Sequence, residues 1–110
     1  MSKLNQDQIS SNLLKLCGWS YENGAISKQF QFKDFIEALS FVNAIGLESE
    51  KMDHHPDILM FAWNKVKVTI STHDAGGVTE KDFSLAQKIE ERLKWVRGSM
   101  NSLINMMKIR

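Results

Sequence analysis

The sequence predicts an α+β fold, a four-stranded antiparallel sheet with helices packed on one face, in the order α-β-β-α-β-β-α. Three observations predict it. Two pairs of strand-like runs, over residues 19–32 and 58–70, are each interrupted by a short turn. Three other stretches repeat apolar residues at helical spacing behind side chains that cap helix N-termini. Helices segregated to one face of an antiparallel sheet are a standard two-layer solution, and they leave the opposite face open to a partner. No linker, low-complexity segment or repeat divides the chain. Residues 1–110 are therefore read as one domain, with 97–110 as a C-terminal helical extension.

In chain order, Asn5 with Gln8 forms a capping box, and Ile9, Leu13, Leu16 and Cys17 follow at helical spacing. This predicts a first helix over residues 6–17, stopped near Gly18. Residues 19–22 and the alternating Ile26, Lys28, Phe30 and Phe32 flank Asn23-Gly24, a pair suited to the positive φ angles of a type I′ turn. Asp34 with Glu37 starts a second helix whose apolar face includes Phe35, Leu39 and Val42, ending either at Gly46 or near Ser49. Pro56 holds His55 in an extended or turn conformation. Residues 58–63 are apolar throughout, which predicts a strand buried on both faces or lying at an interface. Asn64-Lys65 is the expected turn, and Val66, Val68 and Ile70 alternate with polar residues on a strand with one wet face. Gly76-Gly77 breaks the chain before Thr79 and Asp82, which cap a third helix along Phe83, Ala86, Ile89, Leu93 and Val96. Past Gly98, Met100, Leu103, Ile104 and Met107 form another apolar stripe on a short terminal segment, of the kind that packs on its own domain or on a neighbouring subunit.

Composition excludes several classes of function. A length of 110 residues supports one hydrophobic core, and 43% hydrophobic with 25% charged residues is ordinary for a folded soluble protein. A net charge of +1 argues against a phosphate-driven nucleic-acid binder. No apolar run approaches the roughly 20 residues a membrane span needs, and the first residues lack the apolar core of a secretory signal. The single cysteine, Cys17, cannot form an intramolecular disulfide and fits a reducing, cytoplasmic setting.

All three histidines lie in one window: His54 and His55 in Glu50-x-x-x-His-His-Pro56, and His73 between Thr72 and Asp74 before Gly76-Gly77. Histidine exchanges a proton near neutral pH without a large pKa shift, so the cluster points to an acid–base site. On a regular strand His54 and His55 would face opposite ways; the turn before Pro56 allows both imidazoles into one concavity. Three readings stand on pattern alone. The histidines are surface or cap residues, or they are an acid–base set, or they hold a catalytic zinc, although the HExxH spacing is missing. Cys17 falls on the apolar stripe of the first helix and reads as core rather than as a nucleophile. Asp82 has a capping role that does not exclude a second one, Glu50 reads as a solvated helix-end residue, and Phe61 and Trp63 read as core or as aromatic contacts for a flat ligand.

Glu50-x-x-x-His54-His55-Pro56, then Trp63, His73 and Asp82, resembles the signature of the pterin-4a-carbinolamine dehydratases. The likeness extends through Trp63-Asn64-Lys65-Val66, Gly76-Gly77, Leu85-Ala86 and Ile89, and upstream through Gly18-Trp19, Phe30-x-Phe32-x-x-Phe35 and Phe41-Val42-Asn43. It covers about residues 10–95. The run between Pro56 and Trp63 is one residue longer than in some relatives, and the segment after Val96 is unexplained by the motif. The resemblance implies a lyase that dehydrates 4a-hydroxytetrahydropterin, released by aromatic amino acid hydroxylases, to the quinonoid dihydropterin, with no metal or redox cofactor. His54 and His73 would be the acid–base pair, one on each face of the pterin, and His55 would hold the substrate near the 4a-hydroxyl. Glu50, Pro56, Trp63 and Asp82 would join His55 in binding the substrate, with Glu50 binding the ring or assisting proton transfer and Asp82 orienting a histidine. The resemblance also implies a homodimer or homotetramer, an aromatic amino acid hydroxylase as a partner, and no nucleic acid or membrane. The competing function is a non-catalytic interaction protein on the same fold, an assembly factor or transcriptional coactivator, for which an intact histidine set would have no use.

Overall fold

The computed structural model describes the backbone over residues 2–108 and side-chain environments over residues 2–98. Its elements are α1 (Gln6–Leu13), β1 (Ser20–Glu22), β2 (Ala25–Gln31), α2 (Phe35–Met52), β3 (Asp57–Phe61), β4 (Lys65–Ile70), a 3₁₀ turn (His73–Ala75) and α3 (Glu80–Lys108). The four strands form one antiparallel sheet in the order β1-β2-β4-β3, so the order α-β-β-α-β-β-α is as the sequence predicts.

Register explains the core. Ile26 lies opposite Ile70, Phe30 opposite Val66, and Ile58 and Met60 opposite Val68 and Val66. These side chains share the face covered by helices, whereas Gln29, Gln31 and Lys67 are exposed. Phe30 and Phe32 stack at tilted angles against Phe41 of α2, with ring centroids 4.7 and 5.0 Å apart. Buried Leu85, Ala86, Ile89, Leu93 and Val96 complete the core from α3. Arg92 Nε donates to Glu48 Oε2 at 3.1 Å, tying α3 to α2. The two helices run antiparallel: His54, just past α2, meets Asp82 early in α3, while Arg97 donates to Gln31 O, ahead of α2.

Local chemistry sets most boundaries. Asn5 and Gln8 satisfy each other's backbone N–H groups at 2.9 Å, and Asp34 accepts from Glu37 N–H at 2.8 Å. Asn23 and Gly24 both have positive φ, as the type I′ turn requires. Gly46 and Gly98 do not end their helices, which run on to Met52 and Lys108. An internal glycine costs a helix only about 1 kcal/mol, and at Gly46 the packing of Ala44, Ile45 and Met52 on the core outweighs it.

Several expectations are corrected. The first helix ends at Leu13 instead of residue 17, because Lys15 and Leu16 bond three residues back in tightened turns. That rotation leaves Cys17 exposed instead of in the core. On α2 the deeply buried stripe is Ala38, Phe41, Ala44 and Ile45; Phe35 and Leu39 are 50% and 38% exposed on its outer flank. Small alanines let the helix approach the sheet closely enough for Phe41 to fill the space. The β3–β4 turn comes earlier than Asn64-Lys65. Ala62 and Trp63 occupy it with φ of 47° and 56°, and Asn64 is buried with its amide donating to Phe32 O at 2.8 Å. The apolar strand β3 is a sheet edge, with Ile58 and Met60 packed inward and Leu59 56% exposed.

Candidate functional site

Helix α2 ends at Asp53, whose left-handed conformation (φ 49°, ψ 45°) turns the chain out of the helix. Short polar side chains tolerate that region better than bulky ones. Past it His54 and His55 are neither helix nor strand, so their side chains are freed from strand alternation. Both line a cleft of about 390 Å³ together with His73, Thr72, Asp74 and Lys81. Antiparallel β3 and β4 bring this about: Asp57 pairs with Thr69, so the residues just before β3 lie beside those just after β4. His73 opens the 3₁₀ turn, whose base is closed by a bridge between Thr72 and Gly77.

Two histidine–carboxylate pairs flank the cleft. His54 Nε2 lies 2.6 Å from Asp82 Oδ1, with side chains 10% and 0% exposed. A carboxylate only accepts, so Nε2 carries a proton, and in the neutral ring Nδ1 is the nitrogen that keeps its lone pair. Asp82 Oδ2 accepts from Thr79 N–H at 2.8 Å and from Thr72 Oγ1 at 2.9 Å. Asp82 thus caps α3 and orients His54 at once. The second pair is His55 Nε2 and Glu50 Oε1, also 2.6 Å apart, but with side chains 54% and 79% exposed.

Of the residues singled out from sequence, His54, His55 and His73 share the cleft, Asp82 stands behind His54, and Glu50 reaches it through His55. Pro56 sets the approach to β3 without lining the cleft. Trp63 does not come to it: it sits in the β3–β4 turn, at the far end of β3, and is 60% exposed. Thr72 and Lys81 are cleft residues that sequence reasoning passed over. Thr72 was findable, since Val66, Val68, Ile70 and Thr72 continue one alternating phase towards the helices. A larger cleft of about 490 Å³ between α1 and α3, lined by Asn12, Cys17, Phe83 and Glu90 among others, contains no histidine. Among the described residues no group of three or more His, Cys, Asp or Glu has the geometry to hold a metal ion. None of the described helices is long and apolar enough to cross a membrane.

Fold and site together define an α+β protein with a histidine-lined cleft at the mouth of a hairpin. Residues 2–92 match the family described as pterin 4 alpha carbinolamine dehydratase, and the chain belongs to that family. It is 47% identical over 89 residues to a Sulfolobus acidocaldarius protein provisionally named a pterin-4-alpha-carbinolamine dehydratase, covering 81% of this chain and 97% of that one. A Nostoc protein with the same provisional name is 48% identical over 92 residues, covering 83% and 98%. Among solved structures, a transcriptional coactivator/pterin dehydratase from Brucella melitensis superposes with a TM-score of 0.78 at 38% identity, over 82% of this chain and 97% of the other. A pterin dehydratase-like RuBisCO assembly factor of the alpha-carboxysome shares the fold, with a TM-score of 0.56 at 20% identity over 68% and 86%.

Proposed function

We propose that this chain is a hydro-lyase that removes water from 4a-hydroxytetrahydrobiopterin, giving the quinonoid dihydropterin. The observation that carries this reading is the meeting of His54, His55 and His73 on one cleft, with His54 held by a buried carboxylate. The cleft volume falls in the range of small-molecule sites, about 300–1,000 Å³. Expelling hydroxide from C4a requires a proton on the departing oxygen and a base for the N5 proton. The Nδ1 lone pair of His54 supplies the base, and His73, on the opposing turn, supplies the acid. His55, backed by Glu50, binds the substrate near the 4a-hydroxyl. One proton leaves N5 and one reaches the hydroxyl, so water departs with no net change in redox state. The elimination itself needs no metal or redox cofactor. Its substrate arises in aromatic amino acid hydroxylation, and a hydroxylase is the expected metabolic partner in the cytoplasm.

The test is dehydration of synthetic 4a-hydroxytetrahydrobiopterin by the purified protein. Positioned acid–base groups contribute about 10²–10⁴-fold each, so His54→Ala and His73→Ala should lose turnover on that scale. Wild-type rates equal to the uncatalysed reaction would sink the reading. Stoichiometric zinc in the purified protein would instead favour a metal site.

A second reading, an interaction protein, draws on the coactivator half of the Brucella protein's name and on exposed Phe35, Ile36 and Leu47 along α2. These residues and the β3 edge also suit a homodimer or homotetramer, which light scattering would measure. An interaction protein without catalysis would keep its assembly state and show no turnover.

A further inference from the structure

We propose that Thr72 is the positioning residue of this site, its side chain holding Asp82 in the orientation that sets the tautomer of His54 and its backbone forming the base of the His73 turn. The Thr72 hydroxyl has one proton and two oxygen neighbours, Asp82 Oδ2 and Thr79 Oγ1, each 2.9 Å away. Asp82 can only accept, so the Thr72 proton points to it, and the Thr79 hydroxyl must then donate to Thr72 Oγ1. Thr79 Oγ1 in turn accepts from Lys81 N–H at 3.2 Å. Every proton in this line points towards Asp82. With Thr79 N–H also on Oδ2, that oxygen is engaged twice, and Oδ1 is left to His54. The order of protons therefore holds the carboxylate with Oδ1 turned to His54, where it can only accept the Nε2 proton.

The same residue anchors the second histidine. Thr72 N–H donates to Gly77 O at 2.9 Å, while Thr72 O accepts from Ala75 N–H at 3.1 Å and from Gly77 N–H at 3.4 Å. His73 therefore rides on a turn whose base is Thr72. One threonine ties both members of the proposed acid–base pair to the first turn of α3. The pair belongs to the dehydratase reading; the tautomer assignment stands on geometry alone.

Thr72→Val separates the two roles, because it removes the hydroxyl and keeps a β-branched residue with the same backbone bonds. The readout is the ring ¹⁵N shifts of His54 at alkaline pH, beside steady-state kinetics on 4a-hydroxytetrahydrobiopterin. Wild-type His54 should be the Nε2–H tautomer alone, and Thr72→Val should show a mixture with Nδ1–H. Its kcat should fall about tenfold while KM moves less than about threefold, the pattern of a lost transition-state arrangement. Thr72→Ser, which restores the hydroxyl, should recover both signals, and Thr79→Val should shift the tautomer in the same direction by less. Wild-type ¹⁵N shifts in both valine variants overturn the proposal, as does a kcat loss with His54 unchanged. If Thr72→Val does not fold, an unshifted His54 in Thr79→Val overturns it equally. A shifted tautomer in a protein whose wild type shows no turnover upholds the positioning role and defeats the dehydratase reading instead.

Discussion

The pairs His54–Asp82 and His55–Glu50 have the same chemistry and the same 2.6 Å separation, yet one is almost wholly enclosed and the other largely in water. Distance alone would rank them equal. Burial separates them, since a charged group removed from water interacts more strongly with its neighbours and cannot be left without partners. Asp82 has three donors, one of them the Thr79 N–H of the helix cap, so its carboxylate has one orientation. Among the described residues Glu50 has a single side-chain partner, on an exposed helix end where an ion pair is worth about 0–1 kcal/mol and competes with water. The first pair is suited to holding a proton position, the second to adjusting around a bound molecule.

The largest test of that contrast is stability. Asp82→Ala strands buried donors and should cost about 3–5 kcal/mol in urea unfolding. Glu50→Ala should stay within about 0.5 kcal/mol in the same measurement, and equal losses would break the contrast. Next comes turnover: Asp82→Asn should lower kcat about 10²-fold, because an amide no longer enforces one imidazole tautomer. Glu50→Gln should leave kcat within about twofold and act on KM, as an exposed binding contact does. A smaller effect is expected at the cap itself, where Thr79→Ala should cost about 1–2 kcal/mol by thermal or urea unfolding. Salt provides a gentler probe. Raising ionic strength to about 1 M shrinks the screening length to about 3 Å, which should move the His55 ring resonances and leave those of His54 in place. Smallest of all, Trp63→Ala should change turnover less than about twofold, as expected of a side chain outside the cleft.

The buried pair was only half legible in the sequence. Asp82 reads as a capping residue from Thr79 three positions earlier, since caps act over one helical turn. That it meets His54 depends on α2 and α3 running antiparallel, which no local pattern encodes. Glu50 and His55 were easier, because both flank one helix end and the turn at Pro56 is marked. The Asn23-Gly24 turn was legible for the same local reason. The Ala62-Trp63 turn was not: neither residue favours positive φ, and its position follows from Asn64 bonding Phe32 across the sheet. Likewise Cys17 carries helical periodicity, but the chain leaves the helix before reaching it.

Every side chain of the candidate site falls between Glu50 and Asp82, around a single hairpin. Contacts between residues near in sequence form quickly, because the chain entropy lost in closing a loop rises with its length. The cleft therefore needs only one local closure, at the Ala62-Trp63 turn, and the docking of the first turn of α3 against it. Helix α1 and the β1–β2 hairpin supply none of its lining. A chain reopened at Asn23-Gly24 would interrupt the rest of the sheet while leaving the segment that bears the candidate site continuous.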